Sequence, residues 1–359
     1  MGFLFETSVM ATLVSVVIPA YNGAEFIGES MRSVFGQSLP PAEIVVVDDA
    51  STDETVTRVR EIAATAPLPV KLIKLPANHG APAEPLNIGI RAASGEVIAL
   101  LDQDDLFETQ KLEHLVSVLE DLADIDFVLS DYYELDAAGR RQGGCARELW
   151  GGVYSRLIYA PGGTNIIPGP LCLSAFIQEC GLPRSCSNHC FRRSLWSRIG
   201  GFDPSFGPIA DYEFALRAIV GKMAWVDREL FGKRKHDRSL WRPSSSNSLA
   251  VLKAQRTACV RAGCPGHMRR HAIAKTRAMM WGLRQDRKWY RAFEQVLMLL
   301  RMGAPIAAAV EAIKTAIDAV SPRSLSRWLR AALQSRRTSP RANSADGREV
   351  RLGQHSARG

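Results

Sequence analysis

No two cysteines in this 359-residue chain stand in the C-x-x-C spacing usual for tetrahedral zinc sites. The seven present, at 145, 172, 180, 186, 190, 259 and 264, form no repeating framework. Their odd number fits reduced thiols better than a set of secreted disulfides. "CSNHC" (Cys186, His189, Cys190) and "CVRAGCPGH" (Cys259, Cys264, His267) only loosely resemble a metal-ligand set. There is no G-x-x-x-x-G-K-[ST], and no G-x-G-x-x-G after a strand-like run, which excludes P-loop and dinucleotide-binding enzymes. The N-terminus lacks a basic leader and a small-residue cleavage site, so no secretory signal is read there, and Met10 is an alternative start. Long apolar runs are also missing. The nearest, 296–320, is broken by Arg301, Pro305, Glu311, Lys314 and Asp318, and reads as an amphipathic or packed helix rather than a membrane span.

The body has almost no excess of charge. Nine arginines against Asp346 and Glu349 put +7 of the total +8 after residue 320. That basic tail reads as a solvated, disordered end, able to touch an anionic membrane surface but too little to argue for a nucleic-acid partner. Three regions follow: an α/β domain over 12–243, a helical appendage over 244–330 and the tail over 331–359. A cytoplasmic placement, at most peripheral to the membrane, is expected.

What is present is a repeated alternation. "LVSVVIPAY", "AEIVVVDD", "VKLIKLP", "GEVIALLD" and "DFVLSDYYEL" are apolar or β-branched runs that read as strands, the first two buried on both faces. Between them, "GAEFIGESMRSVFGQS", "STDETVTRVREIAATA", "PLNIGIRAA" and "TQKLEHLVSVLEDL" have helical apolar spacing. Ser51 or Thr52 is expected to cap the second helix. Such alternation demands a mostly parallel sheet with helices on both faces. The segment 140–200, rich in Gly, Pro and Cys, reads as loops, with order returning at "SLWSRIGGFDPSFGPIADYEFALR".

In such sheets ligands bind at the carboxyl ends of the strands. Polar residues gather there: Pro19-Ala20-Tyr21-Asn22, Asp48-Asp49, and Asp102-Gln103-Asp104-Asp105. The D-x-D spacing puts Asp102 and Asp104 on one side of an extended segment, a donor set suited to Mg²⁺ or Mn²⁺ and a substrate phosphate. Asp105 is expected to cap the following helix. D-x-D alone also fits a solvated acidic loop; its company at the other strand ends favours a site.

"VSVVIPAYNGAEFIGESMRSVFGQS", "EIVVVDDASTDET", "NHGAPAEPLNIGIRAASGEVIALLDQDD" and "GGFDPSFGPIADYEFALR" together resemble glycosyltransferase family 2, over about residues 12 to 240. The resemblance implies a GT-A fold (Rossmann-like, with a C-terminal helical region added here) and a nucleotide-diphosphate sugar donor. It implies Pro19, Tyr21 and Asn22 around the base, with Asp49, beside Asp48, on the base edge. Asn78, Gly80 and Asn87 would line the nucleotide, Asp102 would meet the ribose, and Asp104 would hold Mn²⁺ or Mg²⁺. Asp211 matches the family's catalytic base, because an acceptor hydroxyl needs its proton removed as it attacks. His236 is placed at the metal and Arg234 at the diphosphate. Inversion is implied, with a saccharide, lipid-linked or protein acceptor in surface polysaccharide or glycoconjugate synthesis.

Three departures matter. Ala210 stands where many members have Glu, and Leu86 where many have Arg. The Q-x-x-R-W pattern of processive polymerases is absent, which favours transfer of single sugars. A sugar nucleotidyltransferase is disfavoured because strand one ends in "PAYNG" rather than a Gly-rich loop with a basic residue. A non-catalytic sugar-nucleotide-binding or scaffold protein remains the other alternative.

Overall fold

The computed structural model describes residues 12–143, 158–160, 164–168 and 185–239, together with 250, 251, 253–255, 257, 258, 308, 311 and 312. The tail, most of the helical appendage, the 296–320 segment bar three residues, and Cys145, Cys172, Cys180, Cys259 and Cys264 lie outside them. Among the described residues no helix is long and apolar enough to cross a membrane.

The alternating half forms as its runs dictate. β1 (Val14–Ala20), β2 (Glu43–Asp48), β3 (Val70–Lys74) and β4 (Val97–Leu100) pair in parallel in the order β3-β2-β1-β4. Crossover helices α1 (Ile27–Phe35), α2 (Thr55–Ala63) and α3 (Ala83–Ala92) join them. Every residue of β1 and β4 is buried, as a strand covered on both faces requires. Each such Val, Leu or Ile contributes roughly 1.5–3 kcal/mol by leaving water.

Beyond β4 the sheet is mixed. β5 (Leu106–Phe107), α4 (Lys111–Asp121), β6 (Phe127–Leu135), β7 (Arg141–Gln142), β8 (Ile158–Ala160) and β9 (Thr164–Pro168) follow. Then β10 (Cys190–Arg192), three residues from the stretch expected to be loop, inserts between β4 and β6, antiparallel to both. Its reversal leaves β6 running the same way as β4. After α5 (Arg193–Ile199) and α6 (Ala210–Ala218), the thirteen-residue β11 (Lys222–Arg234) pairs parallel with β6 and antiparallel with β9 and β5. The carboxyl ends of β1, β2, β4, β6 and β11 therefore share one edge. Two register shifts bend β11 at Val226–Phe231, so that its last residues turn toward β5 and the loop after β4.

Two capping expectations are corrected. Ser51 and Thr52 do not cap α2: the Ser51 hydroxyl accepts from Asn22 N, and Thr52 N donates to Asn22 Oδ1. Asp53 instead accepts from Thr55 N at the start of that helix. Asp105 caps no helix either, because β5 intervenes and α4 begins only at Lys111.

Ten residues of the helical appendage are described, all helical. Ala254 and Ala258 are buried, and Gln255 donates to the Tyr212 hydroxyl on α6 at 2.9 Å.

Candidate active site

A cavity of about 450 Å³ opens at the shared strand edge. It is walled by the segments that follow β1, β2, β4 and β11, and by the first turn of α6.

One wall is a clamp between loops. Asn22 has φ 48°, a left-handed conformation that Asn tolerates, and this bends the chain after β1. The bend aims Asn22 N at Ser51 Oγ (2.9 Å) and Gly23 N at Thr55 Oγ1 (2.8 Å). Gln103 bonds Tyr21 in both directions, accepting from Tyr21 N at 2.9 Å and donating to Tyr21 O at 3.0 Å. Gly23 is needed for this approach, since a Cβ there would sit 2.0 Å from Gln103 Oε1. The Tyr21 ring is left 44% exposed at the mouth, a flat face open to a ligand. Asp49 lies below, with both carboxylate oxygens engaged by His79: the backbone N at 2.9 Å and ring Nδ1 at 2.6 Å. Asn78 Nδ2 donates to Asp49 O at 3.1 Å.

The opposite wall is acidic. Asp102, Asp104, Asp105 and Asp211 line it, Asp105 the most enclosed of the four at 2% exposure. Burial pushes the Asp102 carboxyl well above its ordinary value, and the neighbouring Asp105, Asp104 and Asp211 push the same way. Burial and Asp104 likewise raise Asp105 to about 6. Asp211 sits in the first turn of α6, where the helix dipole favours an anion. The Cys186 thiol lies among these acids; burial, then Asp102 and Asp211, raise it well above its usual range. His236 Nε2 stands 2.8 Å from Asp104 Oδ2, its ring centroid 4.8 Å from that of Phe26.

Eleven of the thirteen residues singled out in the sequence line this cavity: Pro19, Tyr21, Asn22, Asp49, Asn78, Gly80, Asp102, Asp104, Asp211, Arg234 and His236. Asp48 does not; it is fully buried beneath the loop and accepts from Ser51 N at 3.2 Å. Nor does Asn87, whose amide is consumed by Phe202 O, Phe202 N and Trp196 Nε1 at 2.8, 2.9 and 3.1 Å. Asn87 braces α3 against the segment leading to Asp211, and Gly201 (φ 69°) leaves room for it: a Cβ there would meet Asn87 Oδ1 at 2.8 Å.

Arg234 reaches the cavity with its charge already committed. Its guanidinium bonds Glu29 Oε2 (2.5 Å), Asp104 O (2.9 Å) and Ala137 O (3.2 Å), and lies over the Phe26 ring. It acts as a strut for the Asp104 loop. Residues given no role from sequence also form the walls: Phe26, Gln103, Ser185, Cys186 and Arg238. The signal available for the serines was their alternation in "SCSN", which the cysteines obscured by suggesting a metal. In the structure Cys186 and Cys190 are buried free thiols, and the buried His189 ring packs near Phe127 and Phe214.

This architecture is that of GT-A glycosyltransferases. Staphylococcus aureus TarS 1–349 in complex with UDP-GlcNAc superposes with a TM-score of 0.64, at 17% identity over 89% of this chain and 92% of that one. The same protein in complex with UDP gives 0.61 at 18% identity, covering 89% and 92%. By sequence, an uncharacterized glycosyltransferase of Rickettsia prowazekii is 33% identical over 230 residues, 64% of this chain and 66% of that one. One from Rickettsia typhi is 34% identical over 226 residues, 63% and 64% of the two chains. The chain thus spans just under two thirds of the length of these relatives. Poly(ribitol-phosphate) beta-N-acetylglucosaminyltransferase TarS of S. aureus is 33% identical over 109 residues, 30% of this chain and 19% of that one. The description "Glycosyl transferase family 2" matches residues 15–173. Over those residues the chain is similar to glycosyltransferase family 2.

Proposed function

We propose that this chain transfers one sugar at a time from a nucleotide-diphosphate donor to an acceptor hydroxyl, with inversion and with the help of a divalent cation. A saccharide, lipid-linked or protein acceptor in surface-glycan synthesis fits that reading. One observation carries it: acids from the end of β4 and Asp211, more than a hundred residues later, line one cavity with the exposed Tyr21 ring. Tyr21 and Pro19 would face the base, Asp49 its N–H edge, and Asp102 the ribose. Asp211 takes the acceptor proton as the acceptor oxygen bonds the anomeric carbon. The bond from that carbon to the diphosphate oxygen breaks on the opposite face, releasing the nucleoside diphosphate.

The donor set fits Mn²⁺ or Mg²⁺. Asp104 and His236 offer adjacent oxygen and nitrogen ligands, and the crowded carboxylates beside them favour a cation. Among the described residues no group of three or more His, Cys, Asp and Glu could hold a metal by itself, so Asp104 and His236 would share the cation with the donor diphosphate. When bound, the cation would neutralise the leaving diphosphate. Asp104→Ala is accordingly expected to abolish the dependence of nucleotide binding on Mn²⁺, read by calorimetry with and without the metal. Unchanged dependence removes Asp104 from the ligand set.

The reading is tested with UDP-, GDP- and dTDP-sugars, scored for binding and for Mn²⁺-dependent release of nucleotide. UDP-GlcNAc goes first, being the sugar nucleotide held by the TarS structure. Binding without release or transfer would favour the sugar-nucleotide-binding scaffold, for which Ala210 before Asp211 is the supporting feature. Binding of none, with or without metal, would sink both readings.

A further inference from the structure

The third acid of "DQDD" is nearly closed off from solvent, at 2% exposure, yet it has the most donors. Asp105 Oδ2 accepts from Ser187 Oγ at 2.7 Å and stands 2.8 Å from Ser185 Oγ, while Oδ1 accepts from Arg234 N at 2.9 Å. Ser185 Oγ also lies 3.0 Å from Asp102 Oδ2, so one hydroxyl bridges two carboxylates. Ser187 Oγ in turn accepts from Asp102 N at 2.9 Å. The ring closes through Arg234, whose Nε donates to Asp104 O at 2.9 Å. Both serines are buried, Ser185 at 3% and Ser187 at 0% exposure. They sit on a single 3₁₀ turn, Cys186–Asn188 with Ser185 at its start. That turn leads directly into β10 and so is anchored in the middle of the sheet.

Carboxylates crowded like this separate, or one takes up a proton, unless donors stand between them. Ser185 spans the two carboxylates and Ser187 ties Asp105 to the Asp102 backbone, so the two hydroxyls hold Asp102 and Asp105 together and fix Asp104 between them. Ser187 does not line the cavity and can act only through the acids. We propose that Ser185 and Ser187 are positioning residues for nucleotide-sugar binding, setting the Asp102–Asp104 loop against His236. The proposal rests on the nucleotide-sugar reading of the cavity.

The test uses the full chain with UDP, GDP and dTDP, each with Mn²⁺, as calorimetric probes. Ser187→Ala and Ser185→Ala are each expected to raise the dissociation constant of the nucleotide that binds about tenfold, the scale of a lost hydrogen bond to a charged group. Donor KM should rise in step, while kcat at saturating donor falls less than about threefold, a split that general loosening of the fold would not give. Ser185→Thr keeps the hydroxyl on an extended backbone and should bind within about twofold of the unaltered chain. Wild-type affinity in both alanine variants overturns the proposal and leaves the nucleotide reading standing. Failure of the unaltered chain to bind any of the three overturns both. If an alanine variant does not melt cooperatively, Ser185→Thr decides: retained affinity supports the positioning role, and lost affinity overturns it.

Discussion

Asp211→Asn is expected to lower kcat by about 10² to 10⁴-fold, the usual contribution of a general base, while donor affinity changes little. The asymmetry follows from geometry. Asp211 enters the cavity from the first turn of α6, on a different element from the β4 loop that carries Asp102 and Asp104. Asn preserves its shape, so the neighbouring Tyr212 N keeps an acceptor in place of Asp211 Oδ1. What disappears is the capacity to take a proton from the acceptor hydroxyl. Steady-state transfer measured beside calorimetric donor binding checks the outcome. Equal loss of binding and turnover would make Asp211 a binding residue instead.

The second large effect is on stability, at a residue that does not line the cavity. Lys111, the first residue of α4, is completely buried; its Nζ is 3.3 Å from Ser130 Oγ and about 5 Å from the Phe107 and Phe231 ring centroids. Burial pushes its pKa down to about 7, against the pull of Cys190 and Asp105 in the other direction. The folded pKa lies below the unfolded value of 10.5, so between those limits the unfolded chain holds more protons. Stability contributed through Lys111 must then rise with pH across that window, and its cost is greatest at or below about pH 7. Lys111→Met should therefore stabilise the fold by about 1–4 kcal/mol at pH 7. That gain should shrink as pH approaches 10. Urea unfolding of both proteins at pH 7 and 9.5 measures the difference. Destabilisation at both pH values would mean that the aromatic cage and Ser130 outweigh the desolvation of the ammonium.

The legible parts of the fold were those in which one short run satisfies one element. "VSVVIPA", "IVVVD" and "VIAL" are buried strands because no other arrangement hides so many branched side chains, and their ends mark the site edge. β10 was illegible because three residues, Cys190 to Arg192, carry no period. Their strand character comes from the unpaired edges of β4 and β6 that they fill. The site divides in the same way. Residues in a strand-end cluster fell on the cavity, whereas Asp48 and Asn87 share residue type and neighbourhood with liners but point into the scaffold. Arg234 announced a cation, but not that Glu29, on α1, would claim it. The roles of Ser185 and Ser187 depend on contacts eighty or more residues away, which no local pattern encodes.

The position of β10 also governs the order in which the molecule can assemble. β3, β2, β1 and β4 follow one another closely in the chain and can come together during synthesis. β6, although made soon after β4, has no neighbour on the β4 side until residue 190 has emerged. The sheet must therefore wait, split down its middle, for a three-residue wedge delivered from more than fifty residues beyond β6. A nascent chain stopped at residue 173, where the family match ends, would lack both β10 and β11 and leave edges of β4, β6 and β9 open, the kind of surface that invites pairing with other chains.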